Sequence, residues 1–308
     1  MSKIAFMFPG QGSQYVGMSQ DFYEQFEESK AVFETATSLL GFSMEDLCFK
    51  ENDQLNITEY TQVAMLTAST AILKKVESMG IKPDVTVGLS LGEYNALIAS
   101  SVLTFEEAVK VVRERGILMQ NAVPVGLGAM AAVLGAKKEL IEEVCENTKG
   151  IVSIANYNCP GQIVISGEVE AVEKASEALK EQGAKRVIPL NVSGPFHSPM
   201  LKEAGEQLVK VLDTVEIKKP VVPYVANVNA KMITEAEPIK ELLGQQVSSS
   251  VRFEQSIEAL LEDGVDTFIE MGPGKTLSGF VKKVNRKVNV INIEKVEDLE
   301  KLKEISQC

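Results

Sequence analysis

The chain has 308 residues, 45% hydrophobic and 24% charged, with 43 acidic against 31 basic side chains and a net charge of −12. That length supports a large core, as two domains or as one domain with an insertion, and the acidic balance argues against nucleic acid, whose backbone needs a basic stripe. No apolar run nears the ~20 residues that cross a bilayer, and the opening Met1 to Pro9 is too short and too soon broken by proline for a signal peptide, so a cytoplasmic protein with no membrane partner is expected.

The first predicted element is an apolar strand from Ile4 to Phe8. It runs into Pro9-Gly10-Gln11-Gly12-Ser13-Gln14, a turn at the end of a parallel strand, where loops build sites. Helical patterns follow to about Met79. The short strand Val85-Thr86-Val87 then meets Gly88-Leu89-Ser90-Leu91-Gly92, the spelling of a nucleophile elbow. A serine hydroxyl becomes a useful nucleophile when it is exposed on a sharp turn, close to a base, and near donors for the oxyanion. Flanking glycines allow such a turn, and a helix from Leu91 through Ile98 would aim its positive end at the reacting centre. The same five residues also fit an ordinary strand–helix turn.

A helix from about Phe105 to Gln120 carries an apolar stripe of Ala108, Val111, Val112, Leu118 and Met119. Arg115 falls on that stripe and Arg113 does not. A guanidinium turned toward a core is costly unless an anion meets it, so its partner is either a buried carboxylate or a ligand.

From Val123 onward the texture changes. Strands over 129–134, 151–155, 162–166 and 186–190 alternate with helices over 137–147 and 169–181, the order βαββαβ of a ferredoxin-like unit. The expected fold is therefore α/β, a core with a mainly parallel sheet in residues 1–123 and 196–308 and an inserted small domain in residues 124–195. Gly126-Leu127-Gly128 leads into a strand instead of a helix, which argues against a dinucleotide site.

Just beyond the insertion lies the only histidine of the chain, His197, in the turn-rich segment Ser193 to Pro199. It is the one candidate for an imidazole base, and the cleft between the two units is the expected site. No aspartate lies between Ser90 and His197, and the glutamates there fall mostly in charged helical runs such as Glu139-Leu140-Ile141-Glu142-Glu143. A backbone carbonyl or side-chain amide is therefore expected to fix the histidine tautomer. The four cysteines, Cys48, Cys145, Cys159 and Cys308, have no metal-ligand spacing and read as free thiols, and no metal is expected. Basic residues gather at Lys275, Lys282, Lys283, Arg286 and Lys287, either as a solvated helix end or as a dock for an acidic partner.

Taken together, these segments resemble the malonyl-CoA:acyl carrier protein transacylases across nearly the whole chain. The resemblance is carried by Phe8 to Gln14, Gly88 to Tyr94, Arg115-Gly116 with Met119-Gln120, Asn156 to Gln162, Gly194 to Pro199, and Gly272 to Lys275. It implies a hydrolase-like core with a ferredoxin-like insertion. It also implies Ser90 as the acylated nucleophile, His197 as base, and the Gln11 and Leu91 N–H groups as oxyanion hole. Arg115 would hold the malonyl carboxylate, the Gln246 carbonyl would orient the histidine, and Phe196 and Asn158 would contact substrate. The implied reaction is a ping-pong transfer of malonyl from malonyl-CoA to holo-acyl carrier protein in fatty-acid synthesis, by a monomer with no cofactor. A stand-alone acyltransferase of a polyketide synthase would share these residues; an acyl-CoA thioesterase or serine hydrolase would have no use for Arg115. Leu89 departs from the family, which usually has histidine there.

Overall fold

The computed structural model describes residues 2–303. Eleven strands occur among them: β1 (Ile4–Phe8), β2 (Val85–Gly88), β3 (Gly128–Leu134), β4 (Val152–Cys159), β5 (Gln162–Glu168), β6 (Arg186–Pro189), β7 (Tyr224–Val225), β8 (Met232–Ile233), β9 (Val251–Arg252), β10 (Thr267–Met271) and β11 (Asn289–Ile293). They form two sheets in a mixed α/β fold.

The first sheet has the order β11-β10-β1-β2-β7-β8, parallel throughout except for β8, which runs antiparallel to β7. Its central strand β1 is fully buried from Ala5 to Phe8, because helices cover both faces. Phe6 and Phe8 pack with the helices Glu27–Leu40, Thr58–Ser78 and Phe105–Asn121, whereas Ala5 and Met7 pack with Phe253–Glu262 and Thr276–Val284. The alternation is the period of two of a strand.

Two local features bring Arg115 to the centre. The helix Phe105–Asn121 opens on a capping box between Thr104 and Glu107, which satisfies two otherwise unpaired N–H groups. One turn from its end, Gly116 lets it close on the helix Thr58–Ser78; a Cβ there would lie 2.8 Å from the Glu59 Cα. That approach sets Arg115 against Gln62, while Arg113 points outward to an ion pair with Glu59 at 2.6 Å.

The second sheet has the order β6-β3-β5-β4-β9. The first four strands are antiparallel, and β9 adds in parallel to β4. The helices Lys138–Asn147 and Val169–Glu181 pack on one face with Val133, Ile154 and Ile165. The other face, with Met130, Ala132 and Val164, turns toward the first sheet across a cavity.

Two details differ from the sequence reading. The strand expected to stop at Ala155 continues as β4 to Cys159, with register shifts at Ile154/Asn156 and Tyr157/Cys159. Its asparagines and the Cys-Pro-Gly run suggest a loop, but the turn is only Pro160-Gly161, with Gly161 at φ 75°. The sheet also gains β9 from far along the chain; two residues are too few to show any periodicity.

Candidate active site

The turn after β2 is built by sterics. Ser90 sits at φ 53°, a left-handed conformation that costs a non-glycine residue about 1–3 kcal/mol. A Cβ on Gly88 would fall 2.0 Å from the Gly92 carbonyl, and one on Gly92 would fall 2.1 Å from the Phe8 carbonyl oxygen. Both glycines are therefore required for the strand, turn and following helix to approach so closely. Two side-chain amides clamp the strained residue. Asn227 accepts from the Ser90 N–H at 2.6 Å and donates to the Gly88 carbonyl at 2.7 Å, and Gln246 Nε2 donates to the Ser90 carbonyl at 3.0 Å.

His197 also has a positive φ, 58°, and its N–H donates to the Val247 carbonyl at 3.2 Å. Its ring is held at both ends, with Nδ1 2.8 Å from the Gln246 carbonyl oxygen and Nε2 2.7 Å from Ser90 Oγ. A carbonyl only accepts, so Nδ1 carries the proton and Nε2 is the bare acceptor for the serine hydroxyl. Burial, reinforced by the charge of Arg115, pushes the histidine pKa down to about 4 against the opposing bond to Gln246. The imidazole is thus neutral at pH 7.

Arg115 is 1% exposed. Its guanidinium donates to Gln62 Oε1 at 2.6 Å, to Gln246 Oε1 at 2.9 Å and to Ser90 Oγ at 3.3 Å. All three acceptors are neutral, and no ion pair among the described residues involves it. Burial lowers its pKa, with Tyr94 and Glu93 opposing that shift. Of the two partners open at the sequence level, a contacting protein carboxylate is absent among the described residues. A buried cation ringed by amides leaves its field directed at whatever anion enters.

Ser90, His197 and Arg115 line a cavity of about 740 Å³ between the sheets. Gln11, Leu91, Leu89, Phe196 and Asn158 line it as well. The backbone N–H groups of Gln11 and Leu91 donate to no acceptor among the described residues, and the Asn158 Oδ1 is buried without a partner. Gln246 is buried and acts from behind with both its backbone and its side chain. The helix Thr276–Val284 forms part of the wall through Thr276, Leu277 and Phe280. At its end Lys282 donates to the Val288 carbonyl at 2.7 Å and Lys283 to Gln162 Oε1 at 3.3 Å.

Three residues of this site escaped the sequence reading: Gln62, Glu93 and Asn227. Gln62 and Asn227 carry no local signature. Glu93 does, as the single charge of the helix Gly92–Ala99, otherwise Tyr, Asn and small or apolar residues. It lies between Ser90 and His197 in the chain, yet it is 1% exposed and not part of a solvated face. Among the described residues no cluster could hold a metal ion, and no helix is long and apolar enough to cross a membrane. Cys48, Cys145 and Cys159 are buried free thiols; Cys308 lies outside the described residues.

Comparison with known proteins shows the family of the chain. The family model described as the acyl transferase domain matches residues 5–303. The malonyl CoA-acyl carrier protein transacylase of Bacillus subtilis (strain 168) is 51% identical over 304 residues, 97% of this chain and 96% of that protein. The crystal structure of the protein of the same description from Clostridium perfringens superposes with a TM-score of 0.96 at 49% identity, covering 99% of this chain and 98% of that one. A malonyl-transacylase solved in complex with its holo type II PKS acyl-carrier protein superposes equally, TM-score 0.96, at 39% identity over 99% of this chain and all of that one, 100%.

Proposed function

The chain belongs to the acyl transferase domain family, and on that premise we propose that it transfers a malonyl group from malonyl-CoA to the pantetheine thiol of holo-acyl carrier protein. The observation that carries this reading is Arg115, a buried cation with only neutral partners, 3.3 Å from the hydroxyl of Ser90. In a malonyl thioester the free carboxylate is one methylene away from the carbonyl that a nucleophile attacks. A planar guanidinium beside the nucleophile fits that carboxylate in a bidentate grip and has no role with an acetyl group.

The reaction follows from the hydrogen bonds. Ser90 Oγ–H gives its proton to His197 Nε2 and attacks the thioester carbonyl, and the Gln11 and Leu91 N–H groups receive the oxyanion. CoA leaves as the thiol, taking the proton from His197. The carrier's thiol then gives its proton to His197 and attacks the malonyl ester, and the departing Ser90 Oγ takes that proton back from His197, restoring the hydroxyl and the neutral ring. Phe196 and Asn158 contact the acyl group or its pantetheine arm from the cavity wall. No cofactor takes part; malonyl-CoA and the carrier's phosphopantetheine are both substrates.

We read residues 1–123 with 196–308 as a hydrolase-like catalytic domain and residues 124–195 as a ferredoxin-like small domain. The chain order βαββαβ and the sheet order β6-β3-β5-β4 support this. A cytoplasmic monomer serving fatty-acid synthesis is the accompanying reading, and comparison of fatty-acid and polyketide carriers as acceptors separates the two pathways.

Intact-mass measurement tests the proposal. Wild-type protein mixed with malonyl-CoA should gain one malonyl group, label far more slowly with acetyl-CoA, and lose the adduct on addition of holo-carrier. Equal labelling by the two thioesters overturns the selectivity; an adduct that water clears as fast as the carrier does overturns the transferase reading.

A second test uses the solitary histidine, whose ring resonances are unambiguous. With its pKa depressed to about 4 from 6.5, His197 should keep the chemical shifts of a neutral imidazole from pH 8 down to about pH 5. A titration midpoint near its ordinary value would show the ring to be solvated, not the buried base described here.

A further inference from the structure

Glu93 does not line the cavity, yet it grips two of the residues that shape it. It occupies the first turn of the helix Gly92–Ala99, where the helix dipole favours negative charge. Its Oε2 accepts from Gln246 Nε2 at 2.6 Å and from the Asn227 N–H at 3.2 Å, while Oε1 has no partner among the described residues. No ion pair compensates it, and burial pushes its pKa up to about 7, opposed by the bonds from Gln246 and Asn227 and by the charge of Arg115. A carboxylate in such a place is costly.

What it does is orient an amide. The two ends of a glutamine side chain are nearly equal in shape, so their neighbours decide which way round it sits. Oε2 already accepts from the Asn227 N–H and any proton on the carboxyl would sit on the unpartnered Oε1, so Oε2 is an acceptor in either protonation state and takes the NH₂ end of Gln246. The same NH₂ donates to the Ser90 carbonyl at 3.0 Å, which leaves the Oε1 end to receive Arg115 at 2.9 Å. Arg115 in turn reaches Ser90 Oγ. On its other side Glu93 pins the backbone of Asn227, whose amide spans the Ser90 N–H and the Gly88 carbonyl. Anion, amide and cation thus form one line that ends at the nucleophile.

We propose that Glu93 is a positioning residue that sets acyl selectivity from behind the cavity: by fixing the Gln246 amide it aims Arg115 at the carboxylate of a dicarboxylic thioester, without touching substrate. The inference rests on the malonyl reading above.

The test compares Ser90 acylation rates with malonyl-CoA and acetyl-CoA in wild type, Glu93→Gln and Glu93→Ala. Glu93→Gln can still accept from Gln246 but can also present its own NH₂, so the malonyl-to-acetyl rate ratio should fall about fivefold; Glu93→Ala should lower it about 30-fold, the malonyl rate falling far more than the acetyl rate. In an Arg115→Ala background, Glu93→Gln should move the ratio no further, because the effect runs through Arg115. A merely structural role would slow both thioesters alike in protein of native circular dichroism. That outcome, or an unchanged ratio in Glu93→Gln, overturns the inference. The isosteric variant decides where Glu93→Ala unfolds the chain. Wild-type protein with no preference for malonyl overturns the functional reading itself, whereas a preference that persists in both Glu93 variants overturns the positioning role alone.

Discussion

Ser90→Ala is expected to abolish the malonyl adduct and to lower the rate of CoA release by about 10⁴–10⁶-fold. The substitution keeps the Cβ and the φ of 53°, so the turn, its two glycines and the amide clamps of Asn227 and Gln246 stay in place. Only the oxygen between His197 Nε2 and Arg115 disappears. Malonyl-CoA should still bind, because the cavity and the guanidinium remain, which separates lost chemistry from lost binding. The obvious substitutes are poor. Cys48, Cys145 and Cys159 are all buried, and burial pushes their thiols up, Cys145 to about 12, so little thiolate exists at neutral pH. An adduct that survives in Ser90→Ala, located by peptide mapping, would move the nucleophile elsewhere and overturn the mechanism.

Arg115→Ala is expected to reverse the acyl preference. Acylation by malonyl-CoA should fall about 10²–10³-fold, the loss typical of a buried charge-assisted contact, and acetyl-CoA should become the better donor. The bidentate donor for the carboxylate is gone, and only the neutral amides of Gln62 and Gln246 remain near the place it occupied. Arg115→Lys should recover only part of the malonyl rate, because an ammonium cannot span Gln62, Gln246 and Ser90 from one planar fork. Single-turnover rates with both thioesters measure this directly; a malonyl-to-acetyl ratio unchanged in Arg115→Ala would remove Arg115 from substrate recognition.

The residues that sequence reasoning finds are those with an unusual type at a punctuated place. Ser90 stands between glycines at a strand end, His197 has no rival in the chain, and Arg115 interrupts an apolar stripe. Helical boundaries follow for the same reason: Val169–Glu181 agrees with its expected span, and Lys138–Asn147 begins one residue later. Glu93 is legible only as the single charge of an otherwise uncharged helix, and its neighbours, not a charged run, decide that it is buried. Gln246 stands out only through resemblance to a family, and Gln62 and Asn227 do not stand out at all, since a glutamine in one helix and an asparagine in a loop look like any others.

The chain's local order therefore determined where the nucleophile, the base and the misplaced cation lie, because turn strain and helical period are short-range effects written in adjacent residues. Only the tertiary structure decided what those groups do to one another. The contacts that make the site join Ser90 to His197 across 107 residues, Arg115 to Gln246 across 131 and Ser90 to Asn227 across 137. Such pairings depend on how two sheets and the helices between them stack. Packing also buried Glu93, His197 and Arg115 together, and that burial moved their pKa values and left the guanidinium facing a cavity with only neutral hydrogen-bond acceptors beside it.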